Sequence, residues 1–361
     1  MNGGSRLKHP GLLGYTRMAT AFDLANSIRF VHTKLRERLQ EESPDAVWSS
    51  HCKDEATLEA YQSAMKTLAV DHWEKSDGRK RITWCVEQCN EYFKDGGLER
   101  ALAKDKRRHE FYAKEKNKKG SYERYSQAIR LATPDHLQSK LRDETKLRLL
   151  DVGSCYNPFL SAGSRDFDVT AIDISPATDV SDPTSSSQYH STTGICQTVL
   201  RGDFLEITCA GALAEGETLS IDASRRLLSL PSQYFDVIVF CLLLSYMPSP
   251  RQRWTCCAKA RELLRLNGLL LIVTPDSKHH NKNACLMKQW KGAIESIGFR
   301  RWRYIKQSHA HCMAFRTIPK PEQDEDDEGR HFDKFLNIPQ DITKSSGPRE
   351  AITTKNSEAM Q

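Results

Sequence analysis

Two acids, Asp151 and Asp173, stand 22 positions apart, and each closes a short apolar run. The first opens Asp151-Val-Gly153-Ser154, where a glycine lets a turning backbone pass close to a ligand. An acid about 20 residues beyond such a turn is placed to accept hydrogen bonds from both hydroxyls of a ribose. A third acid follows in Gly202-Asp203-Phe204, where a carboxylate can accept from an adenine amine while the phenyl ring lines its face. The stretch Cys241 to Tyr246 comes next, at the position where an open sheet leaves its ligand crevice.

A dinucleotide shares the first two features, but its pyrophosphate requires the full G-x-G-x-x-G, which is missing here. S-adenosylmethionine has no phosphate, so a single glycine suffices. S-adenosylhomocysteine presents the same ribose and adenine and is expected to bind as well. Methyl transfer is a displacement at a sulfonium methyl, accelerated largely by proximity and alignment. The lack of an acid–base dyad therefore decides nothing, and no catalytic residue is assigned. Many enzymes that methylate base amines carry Asn/Asp-Pro-Pro-aromatic after the fourth strand. Here Ser245-Tyr246-Met247-Pro248 keeps the aromatic ring and one proline but lacks the amide or carboxylate. That argues against an exocyclic amine as acceptor and leaves a ring nitrogen open.

The elements that must position these residues follow from the apolar pattern. Strands are expected at 147–152, 169–174, 199–204, 235–244 and 269–274, with helices between several of them, such as Gln252 to Leu266 ending at Asn267-Gly268. Alternation of this kind predicts an α/β fold with parallel strands and right-handed crossovers. Trp302 to Ser308 and Cys312 to Thr317 add an antiparallel end. The whole reads as a class I (Rossmann-like) methyltransferase sheet over residues 146–318, interrupted by inserts at 178–198 and 206–231.

Residues 21–117 read as an all-helical N-terminal domain. Asp54 is a candidate N-cap, and Leu58, Tyr61, Met65, Leu68 and His72 recur at steps of three and four, marking one apolar stripe. A further helix fits Ile82 to Phe93 and stops at Gly96-Gly97. Residues 118–145 read as a linker, and 1–20 and the acidic tail 319–361 as disordered.

Composition bounds the rest: 39% of the 361 residues are hydrophobic and 28% charged, as in ordinary globular chains. No apolar run approaches the roughly 18 residues of a membrane span, and the N-terminus lacks the apolar core of a secretory signal. Eleven scattered cysteines are expected to be reduced thiols in a cytoplasmic protein. Cys85 and Cys89 sit one helical turn apart without a second pair of zinc-ligand spacing, so they read as packing residues and no metal site is expected. The net charge of +6 is uneven, with Lys104 to Arg124 basic and Glu322 to Glu328 acidic. Such runs, like Arg300, Arg301 and Arg303, fit solvated surfaces first and RNA second. His279-His280, His309 and His311 read as loop residues.

Several segments carry a closer likeness: RLLDVGSCYNPFL (148–160), AIDI (171–174), the block from Val237 to Ser277, and WKGAIESIGFRR (290–301). With HCKDEATLEAYQSAMKTLAVDHW (51–73) and RITWCVEQCNEYFKDGG (81–97), the chain resembles the SAMTOR family of animal S-adenosylmethionine sensors upstream of the TOR growth kinase complex. The likeness covers nearly all of 28–318. It implies binding to the GATOR and KICSTOR complexes when ligand is low, inhibition of TOR signalling, and release when the ligand binds. Recruitment to the lysosomal surface by those partners is implied too. The family is related to fungal enzymes that methylate an adenine of large-subunit ribosomal RNA, so an RNA methyltransferase is the alternative. The resemblance implies cofactor contacts at Gly153, Asp173, Asp203 and Phe204, and adds Arg81, whose guanidinium can grip a methionine carboxylate. The 175–201 segment is longer than in the family, and the tail is short. The residues themselves favour neither sensor nor enzyme; the resemblance favours the sensor.

Overall fold

Strand-forming runs rich in Leu, Val, Ile and Phe build the centre of the molecule. The computed structural model describes residues 20–73, 80–116, 146–162, 165–176, 199–211, 219–224, 226–276, 280–319 and 332–342. The expectations for 1–19, 118–145, 178–198 and most of the tail lie outside them.

The main sheet comprises β1 (Leu147–Val152), β2 (Phe167–Asp173), β3 (Leu200–Arg201), β7 (Phe235–Cys241), β8 (Leu264–Pro275), β9 (Phe299–Lys306) and β10 (Ala310–Thr317). Its seven strands run in the order β3-β2-β1-β7-β8-β10-β9. Pairings from β3 through to β8 are parallel, while β10 runs antiparallel to both β8 and β9. The chain moves outward from β1 in one direction and restarts at β7 on its other side. The crevice above β1 and β7 is therefore the topological switch point where ligands bind in open sheets. This is the class I methyltransferase arrangement with its antiparallel end.

Several boundaries differ from expectation. The run expected as strand over 235–244 is strand only to Cys241, because Leu242 takes φ +68° and Leu243–Tyr246 turns helical. The third strand stops at Arg201, because Gly202 and Asp203 turn away into a loop held by Asp203 accepting from Leu205 N at 2.9 Å. Asn267-Gly268 does not end a helix: helix α8 (Pro250–Leu263) gives way directly to β8. Asn267, at φ +64°, sits inside the strand where the pairing with β7 shifts register. A side chain at Gly268 would meet Asp236 O at 3.0 Å and Arg265 O at 2.9 Å, so the strands approach too closely there for any other residue. The 206–231 insert forms a small sheet of its own, β4 (Thr208–Ala210), β5 (Ser220–Ile221) and β6 (Leu227–Pro231), in the order β4-β6-β5.

The described N-terminal residues are helical: α1 (Ala21–Arg38), α2 (Pro44–Cys52), α3 (Glu55–Thr67) running into a wide turn at Leu68–Trp73, α4 (Lys80–Phe93) and α5 (Gly97–Lys116). Thr20 and Asp23 form a capping box at α1, Ser43 caps α2 ahead of Pro44, and Asp54 accepts from Thr57 N to cap α3. These helices share their cores with the sheet. From α4, Trp84, Cys85, Cys89, Tyr92 and Phe93 bury against Leu149, Val237, Val239 and Leu271 on one face. On the other face, Leu270, Ile272 and Phe240 meet α8 and α9 (His280–Ser296), and Val31, Leu35, Val47 and Trp48 from α1 and α2 join the same cluster.

The tail is not wholly without structure. Phe332–Lys334 forms a 3₁₀ turn and Pro339–Ile342 a short helix, α10. Leu336 and Ile338, at 0% and 4% exposure, pack into the sheet core, and Trp290 Nε1 donates to Asn337 O at 2.7 Å. The expectation of disorder there rested on the charged neighbours of this segment; its two aliphatic side chains supply enough apolar burial to anchor it.

Candidate functional site

The loop after β1, which leads into a short helix, α6 (Pro158–Ala162), carries the first part of the site. Gly153 has φ +74°, and a Cβ there would lie 3.0 Å from Leu243 Cδ1. Gly153 N and Ser154 N both donate to Ile172 O, at 2.9 and 3.0 Å, while Cys155 N donates to Asp173 Oδ2 at 2.9 Å. Ser175 N donates to Asp173 Oδ1 at 2.9 Å. A carboxylate has about four acceptor positions, so acceptor capacity remains for a ribose hydroxyl. Burial pushes the Asp173 carboxyl up to about 6, against the pull of these backbone donors. Asp151 lies beneath the loop at 1% exposure, and burial raises it to about 7.

The turn after β3 supplies the second part. Asp203 Oδ2 accepts from Trp48 Nε1 at 2.8 Å and from Cys52 Sγ at 3.5 Å, both carried by α2. Phe204 packs edge-on against Phe240 with centroids 5.6 Å apart. Lys259 of α8 clamps the turn from behind. Its ammonium donates to Phe204 O at 2.9 Å, Leu205 O at 2.8 Å and Ile207 O.

Beyond β7, Leu242 adopts φ +68° and starts a single helical turn, α7 (Leu243–Tyr246). Tyr246, 7% exposed, is surrounded by rings from the N-terminal helices. Tyr61 stacks on it, centroids 4.6 Å apart and planes within 11°. Its hydroxyl is hydrogen-bonded to His51 Nε2, and Trp48 meets its edge at 5.5 Å. His32 in turn bonds the Tyr61 hydroxyl at 3.0 Å. Burial lowers His32 to about 3 and also depresses His51, so both imidazoles are neutral at physiological pH.

These parts enclose one cavity of about 910 Å³. Arg81, Gly153, Asp173, Asp203, Phe204 and Cys241 all line it. Arg81 reaches it from α4 and sets its charge against the Cys241 thiol, which burial pushes up. Among the described residues, no group of three or more His, Cys, Asp or Glu side chains is placed to hold a metal ion.

No protein-family model matches the chain. Curated proteins do. An S-adenosylmethionine sensor upstream of mTORC1 from Danio rerio is 40% identical over 346 residues, covering 92% of this chain and 80% of that protein. Proteins of the same description from Xenopus laevis and Xenopus tropicalis are each 42% identical, covering 88% of this chain and 75% of theirs. The chain belongs to the family of S-adenosylmethionine sensors upstream of mTORC1. Solved structures similar to this sensor-family chain include the antibiotic-resistance methyltransferase Kmr, 17% identical over 52% of this chain and 94% of that one, at a TM-score of 0.31. Another is the N-methyltransferase NodS from Bradyrhizobium japonicum WM9 in complex with S-adenosyl-L-homocysteine, 17% identical over 54% and 86%, at 0.29. Likeness that slight does not bear on what the chain binds.

For this member of the sensor family, sequence reasoning missed three contributors: Trp48, His51 and Tyr61. A signal existed for Tyr61, because the stripe Leu58, Tyr61, Met65 and Leu68 lines the cavity in addition to packing. His311 was expected in a loop; it lies on β10, buried, bonded to Asp276 Oδ1 at 2.9 Å and to the Tyr304 hydroxyl at 2.9 Å. His309 lines the cavity. Arg300 is paired with Asp105 at 2.5 Å and Arg303 with Glu91, which neutralises much of the basic surface noted at that edge.

Proposed function

We propose that the chain is a nutrient sensor that binds S-adenosylmethionine, and S-adenosylhomocysteine, in this cavity, and that its output is occupancy. Asp173 accepts from the ribose hydroxyls, Asp203 from the adenine amine with Phe204 along the ring, and Gly153 lets the backbone approach. Arg81 holds the methionine carboxylate and Cys241 lines the methionine end. When ligand is scarce the chain engages the GATOR and KICSTOR complexes, which carry it from the cytoplasm to the lysosomal surface, and TOR signalling is inhibited. Ligand binding releases it. Among the described residues no helix is long and apolar enough to cross a membrane, so recruitment through partners fits.

The observation that carries the preference for a sensor over an enzyme is the Tyr61–Tyr246 stack. A methyltransferase acting on a base needs an open aromatic face beside the sulfonium. Here Tyr61 occupies that face and His51 holds the hydroxyl. The alternative, an rRNA adenine methyltransferase like the related fungal enzymes, requires the α2–α3 layer to lift away.

Two titrations with purified components test this reading: partner binding against S-adenosylmethionine, and S-adenosylmethionine binding against partner. Linkage requires each to weaken the other by one common factor, about 5- to 150-fold for typical couplings. Independent binding in both directions overturns the sensor, and sustained turnover on ribosomal RNA would establish the enzyme instead.

A further inference from the structure

Arg253 of α8 is fully buried, at 0% exposure, and its guanidinium organises the wall of the cavity after β7. It donates to Leu244 O at 2.9 Å, to Met247 O at 2.8 and 3.2 Å and to Pro248 O at 3.4 Å. Arg36 of α1, 8% exposed, holds the same wall from the other side, donating to Ser245 O at 2.7 Å. Two buried cations this close repel each other and cost solvation unless an anion neutralises them.

The neutralising carboxylate comes from the far end of the chain. Asp341, 13% exposed, accepts from Arg253 at 2.5 and 3.2 Å and lies 3.5 Å from Arg36 Nε. It is itself fixed by Ile338 N, which donates to Oδ2 at 2.9 Å. The segment is seated by Leu336 and Ile338, Arg253 donates to Leu336 O at 2.8 Å, and the adjacent Gln340 lines the cavity.

We infer that Asp341 is a positioning residue for the ligand cavity: its carboxylate, between Arg36 and Arg253, fastens α1 to the Ser245–Pro248 wall and so completes the enclosure around the ligand. This rests on the reading of the cavity as the S-adenosylmethionine site. Four cavity-lining residues, Ala25, Ile28, Arg29 and His32, belong to α1, so releasing Arg36 withdraws one side of the enclosure. Without Asp341, Arg36 regains solvation by leaving, and α1 leaves with it.

The test uses the full chain, with S-adenosylmethionine affinity by calorimetry and hydrogen exchange across Ala21–Arg38. Asp341→Asn and Arg36→Met are each expected to weaken the ligand by about 5- to 150-fold and to raise exchange in α1, with β1 and β7 still protected. Asp341→Glu, which keeps the anion, should recover most of the affinity. Asp173→Ala should weaken the ligand without raising exchange in α1. If Asp341→Asn does not fold, Arg36→Met decides, since it leaves the Arg253–Asp341 pair in place. Unchanged affinity, unchanged α1 exchange, or exchange raised equally in the central strands overturns the assignment. A wild-type chain that fails to bind S-adenosylmethionine instead overturns the site itself, while α1 exchange still reports on Asp341.

Discussion

Trp48 and Asp203, 155 positions apart, are joined by an indole N–H donated to a carboxylate oxygen across 2.8 Å. The acceptor is the carboxylate assigned above to the adenine amine. That oxygen also accepts from Cys52 Sγ, and Leu205 N donates to the other, so α2 and the β3 turn share the carboxylate proposed to receive the adenine amine.

Replacing Trp48 by Phe keeps an aromatic ring and removes the donor. A buried carboxylate left short of one hydrogen bond costs about 1.5–3 kcal/mol. The free protein should lose that much stability in denaturant titrations. Saturating S-adenosylmethionine should restore part of it, because the adenine amine supplies the missing donor. Equal losses with and without ligand would show that amine and indole do not meet at Asp203.

The buried carboxyls predict a pH dependence. Burial holds Asp173 at about 6 and Asp151 at about 7, against 3.8 for a free aspartate. Between these limits the folded chain binds more protons than the unfolded chain, so its stability falls as pH rises. These two carboxyls should thus contribute stability near pH 4 that is lost through about pH 6 and 7 as they ionise in turn, whereas the depressed His32 acts in the opposite sense and costs stability as pH falls below 6.5. Denaturant titrations of Asp151→Asn beside the parent chain isolate the carboxyl part, whose loss between about pH 4 and 8 should shrink in the variant. Ligand affinity should run the opposite way, since ribose hydroxyls donate best to an ionised Asp173. Calorimetry from pH 5 to 8 should show affinity rising through about pH 6, and Asp173→Asn should bind weakly with no such rise.

Gly153→Ala tests the loop after β1. A residue with a Cβ at φ +74° is strained by roughly 1–2 kcal/mol, and the new atom would press on Leu243 Cδ1 at 3.0 Å. Leu243 begins the turn that carries Tyr246, so the strain passes to both sides of the cavity. Affinity should drop by roughly tenfold while the far-ultraviolet spectrum is unchanged. Full affinity would mean that the backbone at Gly153 does not approach the ligand.

Lys259→Met should act on the adenine end alone. It strips the donor from three carbonyls of the Phe204–Ile207 turn and leaves the β1 loop untouched. Adenosine-containing ligands should bind several-fold more weakly, on the scale of about 1 kcal/mol per lost hydrogen bond. Spectroscopic probes in the β1 loop should not shift; a shift there would show that Lys259 acts on the fold generally.

What the sequence determined by itself was local. Continuous apolar runs located the seven strands of the main sheet, and stripes of period three to four located α3, α4 and α8, because such patterns follow from backbone geometry within a few residues; α2, α9 and the small β4–β6 sheet were not located. The order of Gly153, Asp173, Asp203 and Cys241 on successive strands was legible for a related reason. In a parallel sheet every strand delivers its C-terminal end to one edge, so four turns far apart in sequence had to share a crevice. The tertiary structure alone decided what closes that crevice. Nothing in the helical stripe of α3 says which surface it meets, since the stripe specifies an apolar face and not its partner. Docking set Tyr61 on Tyr246, Trp48 on Asp203 and Asp341 between Arg36 and Arg253. Each of these contacts joins a polar or aromatic group to one far along the chain, with no short-range pattern to record it. A buried hydrogen bond or ion pair is specified by two positions meeting at angstrom distances, which only the packing of helices on the sheet can fix.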